Sequence, residues 1–402
     1  MTMTDDLLAQ ARGVLDDAVA LRRELHVHPE LGTDLPRTQA KVLAALDGLG
    51  LEVRTGTALT SVVADLVGGA GDGPTILLRG DMDALPMPED TGLDFASTVD
   101  GTMHACGHDA HTAMLVGAAA VLAGQRDQLA GRVRFMFQPG EEGFGGAADM
   151  IDEGVLDGVD AAFALHVAPN MFTDFLIHRS GAAMASADVI KITVTGRGGH
   201  ASTPHWATDP VPVACEIVLA LQSMITRTVN AFDPAVLTVS VIEAGTTDNV
   251  IPETVTLTGT LRAVSEHTRH EVWARIEQVA NGVAAAHGCT VQVEIVQGYP
   301  VTVNDAAFTR WASEVAVDAF GADHVVEMPS PIMGAEDFSY VLQKVPGSMF
   351  FLGVCPPENP NPFEAPACHS NRMVLHEPAM ATGIAMHVSV ATAFLAAKGQ
   401  FT

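Results

Sequence analysis

Between Met103 and His111 the chain packs one thiol, three imidazoles and one carboxylate into nine residues, directly ahead of an alanine-rich stretch. Cys106 and His108 stand two positions apart, and Gly107 between them lets the backbone turn closely with no side chain in the way. A thiolate and an imidazole at that spacing suit a borderline divalent ion such as zinc, manganese, cobalt or nickel. Taken alone, a Cys-x-His is about as often an incidental polar loop as a ligand pair. Glu141-Glu142 is the second signal. Adjacent carboxylates on a turning segment point in different directions, so one can hold a cation while its neighbour accepts a proton from water. The ordinary reading of such a pair is a solvated acidic turn, which the flanking glycines and the apolar run before it make less apt. Asp81 and Asp83 could be ligands, strand-end acids, or carboxylates that orient a ligating imidazole; the last role is the one assigned to Asp83. His166 and His369 are isolated, and an isolated histidine is more often structural than ligating. His26, His28, His205, His267, His270, His287, His324 and His376 receive no role.

These residues need elements to deliver them. Ser61–Val67, Thr75–Leu78, Val133–Phe137 and Ala161–Leu165 are short apolar runs, and the last three barely alternate, as strands covered on both faces do. Helical patterns fall at about 106–124 and 145–153, and a first helix over 5 to about 28 ends at His28-Pro29. Alternating strands and helices predict an α/β fold on a mostly parallel sheet. The three apolar strands lead into Asp81-Met82-Asp83, Glu141-Glu142 and His166, so the acids and the histidine collect at the carboxyl edge where such sheets bind ligands. Near residue 188 the pattern changes. Leu237, Val239 and Val241, and Val255, Leu257 and Leu261, alternate with polar residues, which predicts an antiparallel sheet with one buried face. Helical patterns near 209–227 and 266–287 would cover it, making an inserted α/β sandwich. The chain then returns through Asn304–Phe320 and a long alanine-rich helix near 379–398.

With 402 residues, two domains are expected. A formal net charge of −27 offers no basic stripe, so neither nucleic acid nor an anionic membrane surface is an expected partner. No apolar run approaches membrane-spanning length on this reading. Residues Met1 to Ala20 have neither a basic start nor an unbroken apolar core, so export is not expected and a cytoplasmic setting is. The five cysteines are scattered and odd in number, which fits reduced thiols.

Seven segments together resemble a known family: Arg22-Arg23-Glu24-Leu25-His26 with Pro29-Glu30-Leu31-Gly32; Arg79 to Pro86; Met103 to His111; Gln138 to Gly143; Gly196 to Ser202; Asp248 to Pro252; and Gly334 to Phe338. In order and spacing they resemble the M20 metallopeptidase/amidohydrolase family, in the branch of hippurate hydrolases, N-acetyl-amino-acid deacetylases and auxin-conjugate amidohydrolases. The resemblance implies a zinc-peptidase-like catalytic domain over 1–187 and 299–402, and a lid over 188–298 that also mediates homodimerisation; a hinge is then expected at the junctions, near 184–188 and 298–300. It implies two divalent ions held by Cys106, His108, Glu142, His166 and His369, with Glu141 as general base. His200 would stabilise the oxyanion, and Asn249 and Arg262 would hold the substrate's amide or carboxylate. The reaction so implied is hydrolysis of N-acyl amino acids. The alternatives are a dipeptidase or carboxypeptidase on the same scaffold, and a non-catalytic binding protein. A thiol nucleophile at Cys106 is disfavoured, because the surrounding carboxylates raise its pKa. One departure stands out: where the family shows a Leu-His-Ser-Pro type segment, this chain has Ala367-Cys368-His369-Ser370-Asn371.

Overall fold

The computed structural model describes residues 3–401. Residues 1, 2 and 402, the outermost of the expected segments 1–187 and 299–402 and the start of the Met1–Ala20 stretch, lie outside them. Two compact units emerge. The larger takes the chain up to Ala183, Val303–Ser330 and the chain from Asp337 on; the smaller takes Met184–Thr302 and Pro331–Glu336. The boundaries expected at 188 and 298 thus fall a few residues inside the smaller unit. Pro331–Glu336, which no local pattern separates, belongs to it because the Ala185 N–H donates to the carbonyls of Ile332 and Gly334.

The chain opens with α1 (Met3–Gly13), α2 (Leu15–Val27) and α3 (Pro36–Leu46). The single helix expected over 5–28 is therefore two. Glycine is a weak helix former, and after Gly13 the residue Val14 leaves helical geometry at φ −110°, ψ 1°. Next come β1 (Glu52–Thr55), β2 (Val62–Val67), β3 (Thr75–Asp81), α4 (His108–Gly124), β4 (Arg132–Gln138), α5 (Gly146–Asp152), β5 (Ala161–Ala168) and β6 (Leu176–His178). The chain leaves this unit through β7 (Gly181–Met184). The smaller unit holds β8 (Asp188–Thr195), β9 (Gly199–His200), α6 (Pro210–Thr228), β10 (Ala235–Ala244), β11 (Val250–Ile251), β12 (Thr254–Ala263), α7 (Glu266–Ala286) and β13 (Thr290–Gln297). The chain returns by β14 (Thr302–Asn304) to α8 (Ala306–Phe320), β15 (Val325–Glu327), α9 (Ser339–Leu342), β16 (Gly347–Gly353) and α10 (Met380–Ala396).

In the larger unit an eight-stranded mixed sheet runs β1-β2-β4-β3-β5-β16-β6-β15. Its centre, β4-β3-β5-β16, is parallel throughout. The register pairs Asp81 with Gln138 and His166 with Phe351, so the polar strand ends lie along one edge. Helices α4 and α10 pack on each other and on β3 and β5, and both are buried along nearly their whole length. They approach closely: a Cβ on Gly383 would stand 2.2 Å from the Met114 sulfur. This contact fixes α4, whose first turn carries His108.

The smaller unit is the four-stranded antiparallel sheet β10-β12-β8-β13 with α6 and α7 packed on one face. Along β12 the alternate residues Val255, Leu257, Gly259, Leu261 and Ala263 are buried while the threonines face outward. Asp188, at the start of β8, accepts hydrogen bonds from Arg269 at 2.6 and 3.0 Å and from the Trp273 indole at 3.0 Å, locking α7 to the sheet.

The expectation that no apolar run approaches membrane-spanning length is corrected. Pro210–Thr228 and Glu377–Ala396 are long and apolar enough by length and composition to cross a membrane, at mean hydropathies of 1.2 and 1.6. The second is mostly buried inside the protein, where a core helix needs apolar residues all round.

Candidate active site

The site grows from the ends of three parallel strands and the start of α4. At the end of β3, Asp81 is fully buried, and the buried Arg79 guanidinium contacts it at 2.5 Å. Arg79 also donates to Gln138 at 2.9 Å and to Asp337 at 3.1 Å, and Gln138 and the Ala147 N–H donate to the same Asp337 carboxylate. This buried lattice ties β3, β4, α5 and residue 337 into one rigid floor. His111 completes it: its Nε2 accepts the Val167 N–H at 2.8 Å, so Nδ1 carries the proton and donates to Asp81 at 2.6 Å. Burial above all holds His111 below the ordinary imidazole range, so it stays neutral. With both nitrogens engaged, His111 joins α4 to β5 and is not available to an ion.

Two residues on, Asp83 organises the acidic turn. Its two carboxylate oxygens accept the backbone N–H groups of Glu141 at 3.0 Å and Glu142 at 2.9 Å. Asp83 also lies 3.4 Å from Nδ1 of His108. Asp83 thus shapes the turn that carries both glutamates and stands beside the first histidine.

Gly107 adopts φ 87° ahead of α4, and a Cβ there would lie 2.3 Å from Cγ2 of Val167. Only glycine turns the chain at this point without strain or collision, and the turn sends Cys106 and His108 inward. Donor atoms of Cys106, His108 and His166 lie within 4.8 Å of one another, as do those of Cys106, Glu142 and His369, and those of His108, Glu141 and Glu142. Cys106 Sγ is 3.4 Å from Nε2 of His166, whose Nδ1 is held by the Val167 carbonyl at 2.8 Å. His369 reaches Glu142 at 3.2 Å from a residue with φ 68°, its N–H donating to the Ala105 carbonyl at 2.7 Å. All five residues expected as ligands, and Glu141, are therefore gathered in the larger unit.

The donor set suits a divalent cation on two grounds. Neither ring nitrogen of the fully buried His108 has a well-formed hydrogen bond among the described residues, the nearest carboxylates, Asp83 and Asp81, standing 3.4 and 3.6 Å away. Buried polar atoms are ordinarily satisfied, and an ion would satisfy these. The charges also crowd. Burial opposes protonation of His108, yet Asp81, Asp83 and Glu142 hold it well above the ordinary imidazole range. A hydrogen bond with Cys368, then burial and the charges of Glu142 and Glu141, push the Cys106 thiol well up. The hydrogen bond to Glu142 raises His369. The cluster thus clings to protons that a cation would displace.

Reasoning from sequence missed part of this. His26, given no role, is fully buried and bonded to Asp109 at 2.8 Å and to Glu89 at 3.2 Å, while Arg22 donates to Asp109 at 3.0 Å. The Arg-Arg-Glu-Leu-His segment of α2 thereby braces the residue that follows His108. Pairing across 83 positions leaves no local signal beyond the segment's polar composition in a buried helix.

His200, Asn249 and Arg262 lie in the smaller unit. His200 pairs with Val250 in the β9/β11 ribbon, and the Ala201 N–H donates to the Asn249 carbonyl at 3.0 Å, so His200 and Asn249 are neighbours. Nδ1 of His200 accepts the Ser202 N–H at 3.1 Å, which leaves Nε2 to carry the proton as an exposed donor. Arg262 is not with them. It sits near the far end of β12, opposite Val236 of β10. Eight residues of strand from Thr254 correspond to roughly 26 Å.

Fold and site together define a metallohydrolase. The chain matches the family model of peptidase family M20/M25/M40 over residues 77–393 and belongs to that family. It is a hydrolase of linear amide bonds on that scaffold. Thermostable carboxypeptidase 1 of Saccharolobus solfataricus is 36% identical over 98% of this chain and 99% of its own length. N-acetyl-L-cysteine deacetylase of Bacillus subtilis is 40% identical over 83% of this chain and 80% of its own. Among solved structures, a dinuclear metal-binding M20 peptidase from Bacillus subtilis superposes with a TM-score of 0.83 at 33% identity, covering 96% of this chain and 99% of that one.

Proposed function

We propose that this chain hydrolyses the amide bond of N-acyl amino acids, using two divalent ions held by Cys106, His108, Glu142, His166 and His369. The observation that carries the reading is the gathering of those donors around an acidic turn that also brings a second carboxylate, Glu141, within 4.8 Å of the donor atoms of His108 and Glu142. Bound ions of this kind lower the pKa of water and polarise a carbonyl oxygen. Glu141, nearly buried and set by the Asp83 bond to its own N–H, takes the proton from the attacking water and delivers it to the departing amine nitrogen. Asp83 fixes the backbone of the turn that carries that carboxylate. The Nε2–H of His200 is a donor suited to a developing oxyanion, and Asn249 beside it is suited to the substrate's amide. Arg262 offers a guanidinium for a substrate carboxylate, a needed attraction in a chain of net charge −27. His200 and Arg262 stand near opposite ends of the smaller unit, so a site using both draws them from two copies. That supports a homodimer with the smaller unit as lid and dimerisation domain, and the larger as the catalytic domain. The deacetylase relative supports the acyl amino acid as substrate, and a cytoplasmic setting agrees with it.

Glu141→Gln should lower turnover by at least about a thousandfold, the upper part of the range for general-base catalysis, with metal content unchanged by elemental analysis. Retained turnover removes Glu141 as the base. The carboxypeptidase relative favours a second reading, in which the acyl group is a peptide. Metal-loaded protein and a chelated control, assayed on N-acetyl-methionine, benzoyl-glycine and dipeptides, separate the two: cleavage of dipeptides alone overturns the acyl amino acid assignment.

A further inference from the structure

Cys368 stands where the family pattern has an apolar residue, and its place in the fold is specific. The His369 N–H donates to the Ala105 carbonyl at 2.7 Å, which lays residues 368–369 alongside residues 105–106. The Cys368 sulfur is 3.7 Å from the carbonyl oxygen of Cys106 itself. The two thiols also lie within hydrogen-bonding reach of each other, so the sulfurs already face one another across this contact. Both cysteines are free thiols, Cys106 buried and Cys368 partly exposed.

We propose that Cys106 and Cys368 are a modification site, a thiol pair that hydrogen peroxide closes into a disulfide and thereby removes Cys106 from the metal donors. The more exposed Cys368 meets the oxidant first. Its sulfur attacks one peroxide oxygen, the O–O bond breaks, and sulfenic acid and one water result. The Cys106 sulfur attacks the sulfenic sulfur, the S–O bond breaks, and the hydroxide leaves with the thiol proton as a second water. Two thiols lose two electrons in total, and the peroxide is reduced to two waters. Cys106 belongs to both the His108–His166 and the Glu142–His369 groupings, so the disulfide disables each. A bound ion engages the same sulfur and protects it. The protection, though not the pairing, rests on the ligand assignment above.

The test is peptide mapping under non-reducing conditions, with thiol titration, of metal-free full-length protein treated with hydrogen peroxide. The expected result is loss of two of the five thiols and a cross-linked peptide pair containing Cys106 and Cys368, both reversed by dithiothreitol. Metal uptake by the oxidised protein should fall and recover on reduction. Cys368→Ser and Cys368→Ala should give no cross-link, keep metal uptake after mild peroxide, and retain turnover when untreated. Absence of the cross-link in wild type, with Cys106 either untouched or over-oxidised, overturns the proposal. Zinc loading beforehand should suppress the cross-link. A cross-link that forms equally with and without zinc keeps the thiol pair and removes Cys106 from the ligand set, so the two readings fail separately.

Discussion

His26 lies between the carboxylates of Asp109 and Glu89, out of contact with solvent. Burial opposes its charge, but the bonds to Asp109 and Glu89 prevail and raise its pKa to about 9 from 6.5. Burial works against Glu89 as well, and His26 with Thr91 and Ser97 still lowers it to about 2. The signs decide the pH window. A raised histidine contributes stability that is fully present below about 6.5 and is lost as pH climbs through about 9. A lowered glutamate contributes above about 4.5 and loses it as pH falls towards about 2. The His26 shift corresponds to on the order of 3 kcal/mol, at about 1.4 kcal/mol per pKa unit. Urea unfolding of metal-free wild type and His26→Gln should therefore differ most near pH 6 and converge above pH 9. Parallel curves across that range would show that the imidazolium is not what holds the pair of acids.

At the scale of elements, the turn before α4 concentrates the constraint. Gly107→Ala places a Cβ 2.3 Å from Val167 and forces an unfavourable φ of 87° on alanine. We expect destabilisation of roughly 2–4 kcal/mol from strain and collision, together with loss of bound metal, because Cys106 and His108 then diverge. Wild-type metal stoichiometry by elemental analysis in Gly107→Ala would refute this. The same turn shows what was legible beforehand. Cys106, Gly107 and His108 declare themselves by composition, and β3, β4 and β5 by apolar runs, because a buried parallel strand leaves little room for other residues. β1 was invisible, since the edge strand Glu52–Thr55 is exposed at every residue and has no apolar signature. The break at Gly13 was missed because apolar spacing continues across it. Within the site, the donors were readable by type, whereas His369 rested on family resemblance alone. The Asp81–His111 and Arg79–Asp337 bonds join residues 30 and 258 positions apart, which no local pattern encodes.

For the whole molecule, the decisive point is that each unit has its own core. Leu78, Phe163, Met114 and Ile384 belong to one, and Ile192, Leu257, Ile217 and Ile276 to the other. All the gathered metal donors sit in the larger unit. An ion that binds only the folded form of one unit stabilises that unit by mass action, about 2.7 kcal/mol per site at a hundredfold excess over Kd. The smaller unit has its own buried keystone, the Asp188–Arg269 pair at 2.6 Å. Removing one partner of such a pair typically destabilises by roughly 3–5 kcal/mol, because the other charge is left buried. Calorimetry should accordingly resolve two transitions. Zinc should raise only the one belonging to the larger unit, and Asp188→Ala should lower only the other without altering bound metal. If zinc and Asp188→Ala move both transitions together, the two cores unfold as one cooperative body, and energy from metal binding reaches His200 and Arg262 directly.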